Sequence, residues 1–242
     1  MSIQMSSPAN IKDDLCDRLT HVIERINAVA TRSKRSASDI TLIAISKTHS
    51  SARIQTAIAC GVTDVGENRL QEAEAKIQEL GRDRVRWHLV GHLQANKARK
   101  AVRLFDVIHS LDSVALAQRL DRLCSEEGRD GLDVLIQVNL GAEETKSGLD
   151  ERDVFDLAET IKKCERLRLI GLMSVPPYFE DAEQVRPFFS RLRHLRDELK
   201  ARGSFGSAVG ELSMGMTQDF EVAIEEGATM VRVGTAIFGE RL

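Results

Sequence analysis

TLIAISKTHSSARIQTAIACGVTDVGEN, residues 41–68, reads as strand, helix, strand. TLIAIS is a short aliphatic run, SARIQTAIACG carries a helical pattern, and TDVGEN is a second short run. Two strands joined by one helix run parallel, because the crossover returns the chain to the same end of the sheet. The unit repeats along the chain. VRWHLVG, DVIHSLD, DVLIQVN, LRLIGLMSV, ELSMG and MVRVG bring the aliphatic runs to eight. Helical candidates lie between them: RLQEAEAKIQELG, SVALAQRLDRLCSEEG, ERDVFDLAETIKKC, AEQVRPFFSRLRHLRDELKARG and TQDFEVAIEEG. An alternation of this count closes most simply as an α/β protein of the (β/α)8 TIM-barrel type. An additional helix over about residues 9–32 precedes the first strand, with Ile11, Leu15, Leu19, Val22, Ile23 and Ile26 at steps of three and four. The competing architecture, an open doubly wound sheet, would want a G-x-G-x-x-G after its first strand, and there is none. With no Pro/Gly/Ser-rich linker and no low-complexity tract, a single domain over residues 1–242 is expected.

Composition narrows the function classes. Hydrophobic residues make up 42%, charged residues 29% and aromatics 4%, as in a globular protein packed on aliphatic side chains. The net charge of −3, from 34 basic and 37 acidic side chains, offers no global field for nucleic acid or an anionic membrane, so any anion site is local. Cys16, Cys60, Cys124 and Cys164 lie far apart without a C-x-x-C pair. Neither a structural metal nor a disulfide framework is expected from them, and a reducing cytoplasm fits. The N-terminal MSIQMSSPANIKDD has no basic segment followed by an apolar one, and no stretch approaches the length of a membrane span.

In a barrel of this type the chemistry sits at the C-terminal ends of the strands. Those ends are Ser46-Lys47, Gly66-Glu67-Asn68, His88 through His92, His109-Ser110, Asn139, Met173-Ser174, Ser213-Met214-Gly215 and Gly234-Thr235. Nearly all are polar, small or sulfur-bearing. Lys47 therefore faces a shared polar mouth, where a partly desolvated amine is a usable nucleophile toward an aldehyde. The aldehyde could belong to a sugar or to pyridoxal 5'-phosphate (PLP). Two late glycine turns, ELSMGMTQDF and VRVGTAIFG, suit a phosphate, since such turns present backbone N–H groups. Arg232 shares an alternation phase with Gly234 and is expected to point inward beside it. A pyridine nitrogen facing this guanidinium would stay unprotonated.

The ordered set SKTHS, GENRLQEAEAK, WHLVGHLQANK, IHSLDS, IQVNLGAEETKSG, GLMSVPP and LSMGMTQDFEVAIEEGATMVRVGTAIFG closely resembles the pyridoxal phosphate homeostasis family, also called YggS/PROSC. The resemblance runs from about Ile11 to the C-terminus. It implies a fold-type III PLP barrel, like the N-terminal domain of alanine racemase without the C-terminal β-domain. It further implies that Lys47 holds PLP as a reversible Schiff base. Asn68, His88, Asn96 and Met173 belong to motifs around the cofactor. Ser213, Met214, Gly234 and Thr235 match the phosphate turns, and Arg232 matches the arginine near the pyridine nitrogen. The family's role is PLP (vitamin B6) homeostasis without an established reaction, so a cytoplasmic, monomeric, non-catalytic PLP carrier is expected, with apo PLP enzymes as recipients and no metal. The alternative is a racemase-like enzyme. Racemisation needs a second base, and the single tyrosine, Tyr178 in VPPYFED, does not match the racemase position. A metal-free aldolase using Lys47 is a more distant alternative. Lys146 is expected to be a loop lysine, with a secondary cofactor contact as the minority reading, and Trp87 to be wall packing.

Overall fold

The computed structural model describes residues 8–141 and 147–239, with side chains from Asp14 onward. Each aliphatic run contains a strand: β1 (Thr41–Ile45), β2 (Asp64–Glu67), β3 (Arg86–Leu89), β4 (Val107–Leu111), β5 (Leu132–Gln137), β6 (Leu167–Met173), β7 (Glu211–Ser213) and β8 (Met230–Val233). All sequential neighbours pair in parallel, and β8 pairs with β1, so the sheet closes into a barrel in chain order. Closure excludes the open doubly wound sheet.

The described helices are α1 (Pro8–Arg32), α2 (Ser51–Ala59), α3 (Leu70–Leu80), α4 (Ala98–Leu104), α5 (Val114–Glu126), α6 (Val154–Ile161), α7 (Arg186–Ala201), α8 (Phe220–Glu225) and α9 (Thr235–Phe238). They sheathe the sheet and bury a continuous apolar layer against it, in which Trp87 is fully buried as wall packing. Inside the barrel lies a second, smaller cluster of Ile43, Ile45, Val107, Leu135, Met173 and Met230. Register decides which side chains share this interior. Ile45 lies beside Gly66, Gly66 beside His88, and His88 beside Val107. A Cβ on Gly66 would stand 2.5 Å from Ile45 Cδ1, so this layer has room for no side chain there.

On α1, Leu15, Leu19, Val22, Ile26 and Val29 are buried and face α2, α8 and α9. Arg25 adds a 2.8 Å ion pair to Glu221 and lies 4.6 Å over the Phe220 ring. Ile23, expected on the buried stripe, is 41% exposed, because it falls one step past Val22 and off the packed face. Another expectation is corrected here. Cys16 on α1 and Cys60 at the C-terminal end of α2 form a disulfide with their Cα atoms 5.5 Å apart. Their separation of 44 residues hid a proximity that only the docking of α1 creates. Cys124 and Cys164 are free thiols. Among the described residues no helix is long and apolar enough to cross a membrane, and no three His, Cys, Asp or Glu side chains form a metal site.

Candidate functional site

The strand ends open into a cavity of about 630 Å³. Lys47 lines it because β1 stops two residues earlier, at Ile45, and gives way to a turn. His49 N–H donates to Ser46 O at 3.0 Å, and Thr48, with φ of 70°, turns its own N–H to Glu72 Oε2 at 3.0 Å. The wall behind this turn is charged. Lys76 on α3 donates to Glu67 Oε1 at 2.5 Å and to Ser46 O at 2.8 Å, while Ser46 Oγ–H donates to the same carboxylate. Burial pushes the Glu67 carboxyl up, and its bonds to Lys76 and Ser46 oppose that. The pair ties the end of β1 to β2 and α3, directly before the candidate lysine.

Two glycine turns build the opposite side. Gly215, at φ of 90°, carries the chain from β7 over α8; a Cβ there would meet Ala223 Cβ at 2.6 Å and Phe220 Cα at 2.9 Å. Met216 N–H donates to Asp219 Oδ1 at 2.5 Å, which fixes the turn. Burial raises the Asp219 carboxyl, while Met216 N–H and the charge of Arg232 act against it. Gly234 follows β8, where a Cβ would stand 3.2 Å from Ile45 O. The backbone N–H groups of Gly234, Thr235 and Ala236 have no protein acceptor among the described residues, as at the first turn of any helix.

Arg232 points between these turns and lines the cavity although only 5% exposed. One of its terminal nitrogens donates to Ser213 Oγ at 2.6 Å and the other to Ser174 O at 2.8 Å. Burial lowers its pKa to about 10, with Asp219 opposing, so it stays protonated at neutral pH. One amine, one guanidinium and a cradle of unpaired N–H groups therefore converge on one space. Such a set suits a ligand with an electrophilic carbonyl and a dianionic group.

Of the residues marked in the sequence, Lys47, Asn68, Arg232, Gly234 and Thr235 line the cavity. The others fall elsewhere. His88 is fully buried a layer below, bonded to Asp64 and His109, and Met173 is buried in the interior cluster. Ser213 reaches the cavity only through Arg232, and Met214 packs outward in the layer between sheet and helices. Asn96 is exposed in a short 3-10 turn, Ala95–Lys97, and does not line the cavity. Lys146 lies outside the described residues. Sequence reasoning passed over His49, stacked on Phe238 at 5.0 Å and lining the cavity, whereas Met216–Asp219, which also line it, lie within the ELSMGMTQDF turn marked for a phosphate. It also missed the apolar wall from Val175 to Phe179 with Ala182 and Val185. Tyr178, on the rim of this wall, is 72% exposed. The run of apolar residues after Ser174 in VPPYF was the available signal.

Residues 17–242 match the family described as alanine racemase, N-terminal domain. A protein of Aquifex aeolicus named pyridoxal phosphate homeostasis protein is 42% identical over 93% of this chain and 98% of its own length. The Escherichia coli protein of that name is 40% identical over 95% and 97%. Among solved structures, PipY of Synechococcus elongatus with PLP bound is 40% identical, with a TM-score of 0.80 over 93% of this chain and all of PipY. A structure described as an unknown protein from Bifidobacterium adolescentis is 37% identical, with a TM-score of 0.89 over 98% of both chains. With this sequence likeness over nearly its whole length and a closed parallel barrel beneath it, the chain belongs to the pyridoxal phosphate homeostasis protein family, on the barrel of the alanine racemase N-terminal domain.

Proposed function

We propose that this protein binds pyridoxal 5'-phosphate as a reversible Schiff base on Lys47 and serves intracellular PLP homeostasis as a holder and donor of the cofactor. The observation that carries the reading is the convergence of Lys47, Arg232 and the turn at Gly234 and Thr235 on one cavity. Lys47 would hold the aldehyde carbon, the unpaired N–H groups of the late turns would take the phosphate, and Arg232 would face the ring nitrogen. Asn68 lines the same space and would flank the ring. When bound, the cofactor supplies an aldehyde that captures amines and a ring able to draw electrons from them.

This chain's own groups favour holding over turnover. A guanidinium donates and does not accept, so Arg232 leaves a facing ring nitrogen without a proton and the ring a weaker electron sink. The sole tyrosine stands 72% exposed on the rim, which suits it poorly to a positioned base. Relatives named for homeostasis rather than for a reaction agree with a non-catalytic role. Apo PLP enzymes are the natural recipients, with the cytoplasm as the compartment and the monomer as the acting form. A disulfide sits uneasily in a reducing compartment. Both sulfurs belong to half-buried residues, so the Cys16–Cys60 bridge is within reach of reductants there.

Borohydride reduction of the PLP-loaded protein followed by peptide mapping tests the assignment. The modified residue is expected to be Lys47, and Lys47→Ala is expected to fold normally but lose the visible absorbance of lysine-bound PLP. Modification of another lysine, or wild-type absorbance in the variant, contradicts it.

A further inference from the structure

A line of polar side chains crosses the otherwise apolar barrel interior and ends on the cavity. We propose that Ser213, His109, His88 and Asp64 form a positioning relay that fixes the orientation of the Arg232 guanidinium in the cavity. The relay is made of four hydrogen bonds. Arg232 to Ser213 Oγ is 2.6 Å, Ser213 Oγ to His109 Nδ1 2.9 Å, His109 Nε2 to His88 Nδ1 2.9 Å, and His88 Nε2 to Asp64 Oδ1 2.9 Å. Strands β8, β7, β4, β3 and β2 each supply one member, so the line crosses the barrel from its mouth to the start of β2.

The carboxylate end, with both rings neutral, dictates the direction of every bond along the line. A guanidinium donates and cannot accept, whereas an ionised carboxylate accepts and cannot donate. Burial would raise the Asp64 carboxyl, but bonds from His88 and Thr63 and the nearby charge of Arg86 hold it below its usual range. His88 must then carry its proton on Nε2, which leaves Nδ1 as an acceptor while the ring is neutral. His109 donates to it from Nε2 and accepts at Nδ1 from the Ser213 hydroxyl. Ser213 is thereby left with an oxygen lone pair facing Arg232. With both rings neutral and Asp64 ionised, no other arrangement completes these bonds, so the positions of the protons follow from chemistry rather than from placed hydrogens.

Neutrality of both rings is a condition of this polarity, and the surroundings supply it. Burial lowers the pKa of His109 well below the usual value, with His88, Arg232 and Arg86 adding to it. Burial also lowers His88, although Asp64 and Asp106 pull the other way and Arg86 assists. Ile43, Val107, Leu135, Met173 and Met230 share the barrel interior with these rings, so the surroundings are low in dielectric, and aligned bonds polarise one another there. The direct hydrogen-bond acceptors of Arg232 are both uncharged, the Ser213 hydroxyl and the Ser174 carbonyl, with Asp219 acting at longer range. The relay extends the compensation of its buried charge to Asp64 and sets the angle at which its remaining donors enter the cavity. His88 reaches the cavity only from below, through His109 and Ser213.

The test has two arms, of which only the second rests on the cavity being a PLP site. Nitrogen-15 NMR of histidine-labelled protein without cofactor reads the tautomers directly. Both rings are expected to be neutral with the proton on Nε2 across roughly pH 5 to 8, where ordinary histidines titrate. Asp64→Asn, whose amide can donate as well as accept, is expected to mix the tautomers of His88 and to move the signals of His109. An Nδ1 proton on either ring of the wild type, or titration within that window, overturns the relay. In the second arm PLP affinity is measured by equilibrium dialysis. His109→Leu is expected to weaken binding about tenfold, or ~1.4 kcal/mol. His109→Gln, which keeps one donor and one acceptor, is expected to restore most of the loss. A folded His109→Leu that binds PLP as tightly as wild type also overturns the proposal. Should the wild type not bind PLP at all, the cofactor reading fails and the NMR arm judges the relay alone.

Discussion

Lys76 carries a charge into the barrel wall beside the residue that precedes the candidate lysine, and its nearest charged partner among the described residues is Glu67 at 2.5 Å. Both side chains are nearly dry, at 8% and 0% exposure. In such a setting removing one partner leaves a buried charge without compensation, at about 3–5 kcal/mol, whereas removing both is far less costly. Lys76→Met is therefore expected to destabilise the fold by about 3–5 kcal/mol. Lys76→Met with Glu67→Leu is expected to recover much of that loss. Urea unfolding of the three proteins checks this; a double variant no more stable than the single one contradicts it. Residue-scale legibility followed the same division between rim and interior. Lys47 and Arg232 were readable because a strand end and a period of two place them without knowledge of any neighbour. His88 and Met173 could not be placed, because whether an inward residue reaches the mouth or lies a layer below depends on register between strands. Asn96 lies seven residues past the end of β3, where loop geometry rather than alternation decides.

Among the elements, the strands were legible as a set and α4 was not recognised as a helix. Its seven residues bury only Ala98, Ala101 and Val102, too short and too weakly apolar a face to show a helical period. The opposite case is α1, whose stripe was plain but whose place against α2, α8 and α9 was not. The Cys16–Cys60 bridge is a product of that docking. Closing a loop of this length restricts the unfolded chain by up to ~4 kcal/mol on a chain-entropy account. Cys60→Ser, which leaves Cys16 as a thiol, is expected to lower the unfolding free energy by a few kcal/mol in non-reducing buffer. In excess reductant it is expected to match the reduced wild type. Equal stability of the two proteins without reductant would show that the bridge contributes nothing in solution.

For the whole molecule, eight alternating runs announced a barrel because a parallel sheet of that count has few other ways to cover its edges, and the structure closes it in chain order. Closure is what turns separate strand ends into one cavity, lined by Lys47 just past β1 and by Arg232 of β8, the strand paired with β1. The central claim is that this arrangement holds a cofactor without turning over substrate. Exchange of the α-proton of amino acids into deuterated water, followed by NMR with PLP-loaded protein and a panel of L- and D-amino acids, tests it most directly. The account predicts no exchange at an enzyme-like rate, about 1 s⁻¹ or more, from a protein that still passes its PLP to an apo-enzyme. Rapid exchange with any one amino acid, abolished by Lys47→Ala, would contradict it and make the protein an enzyme.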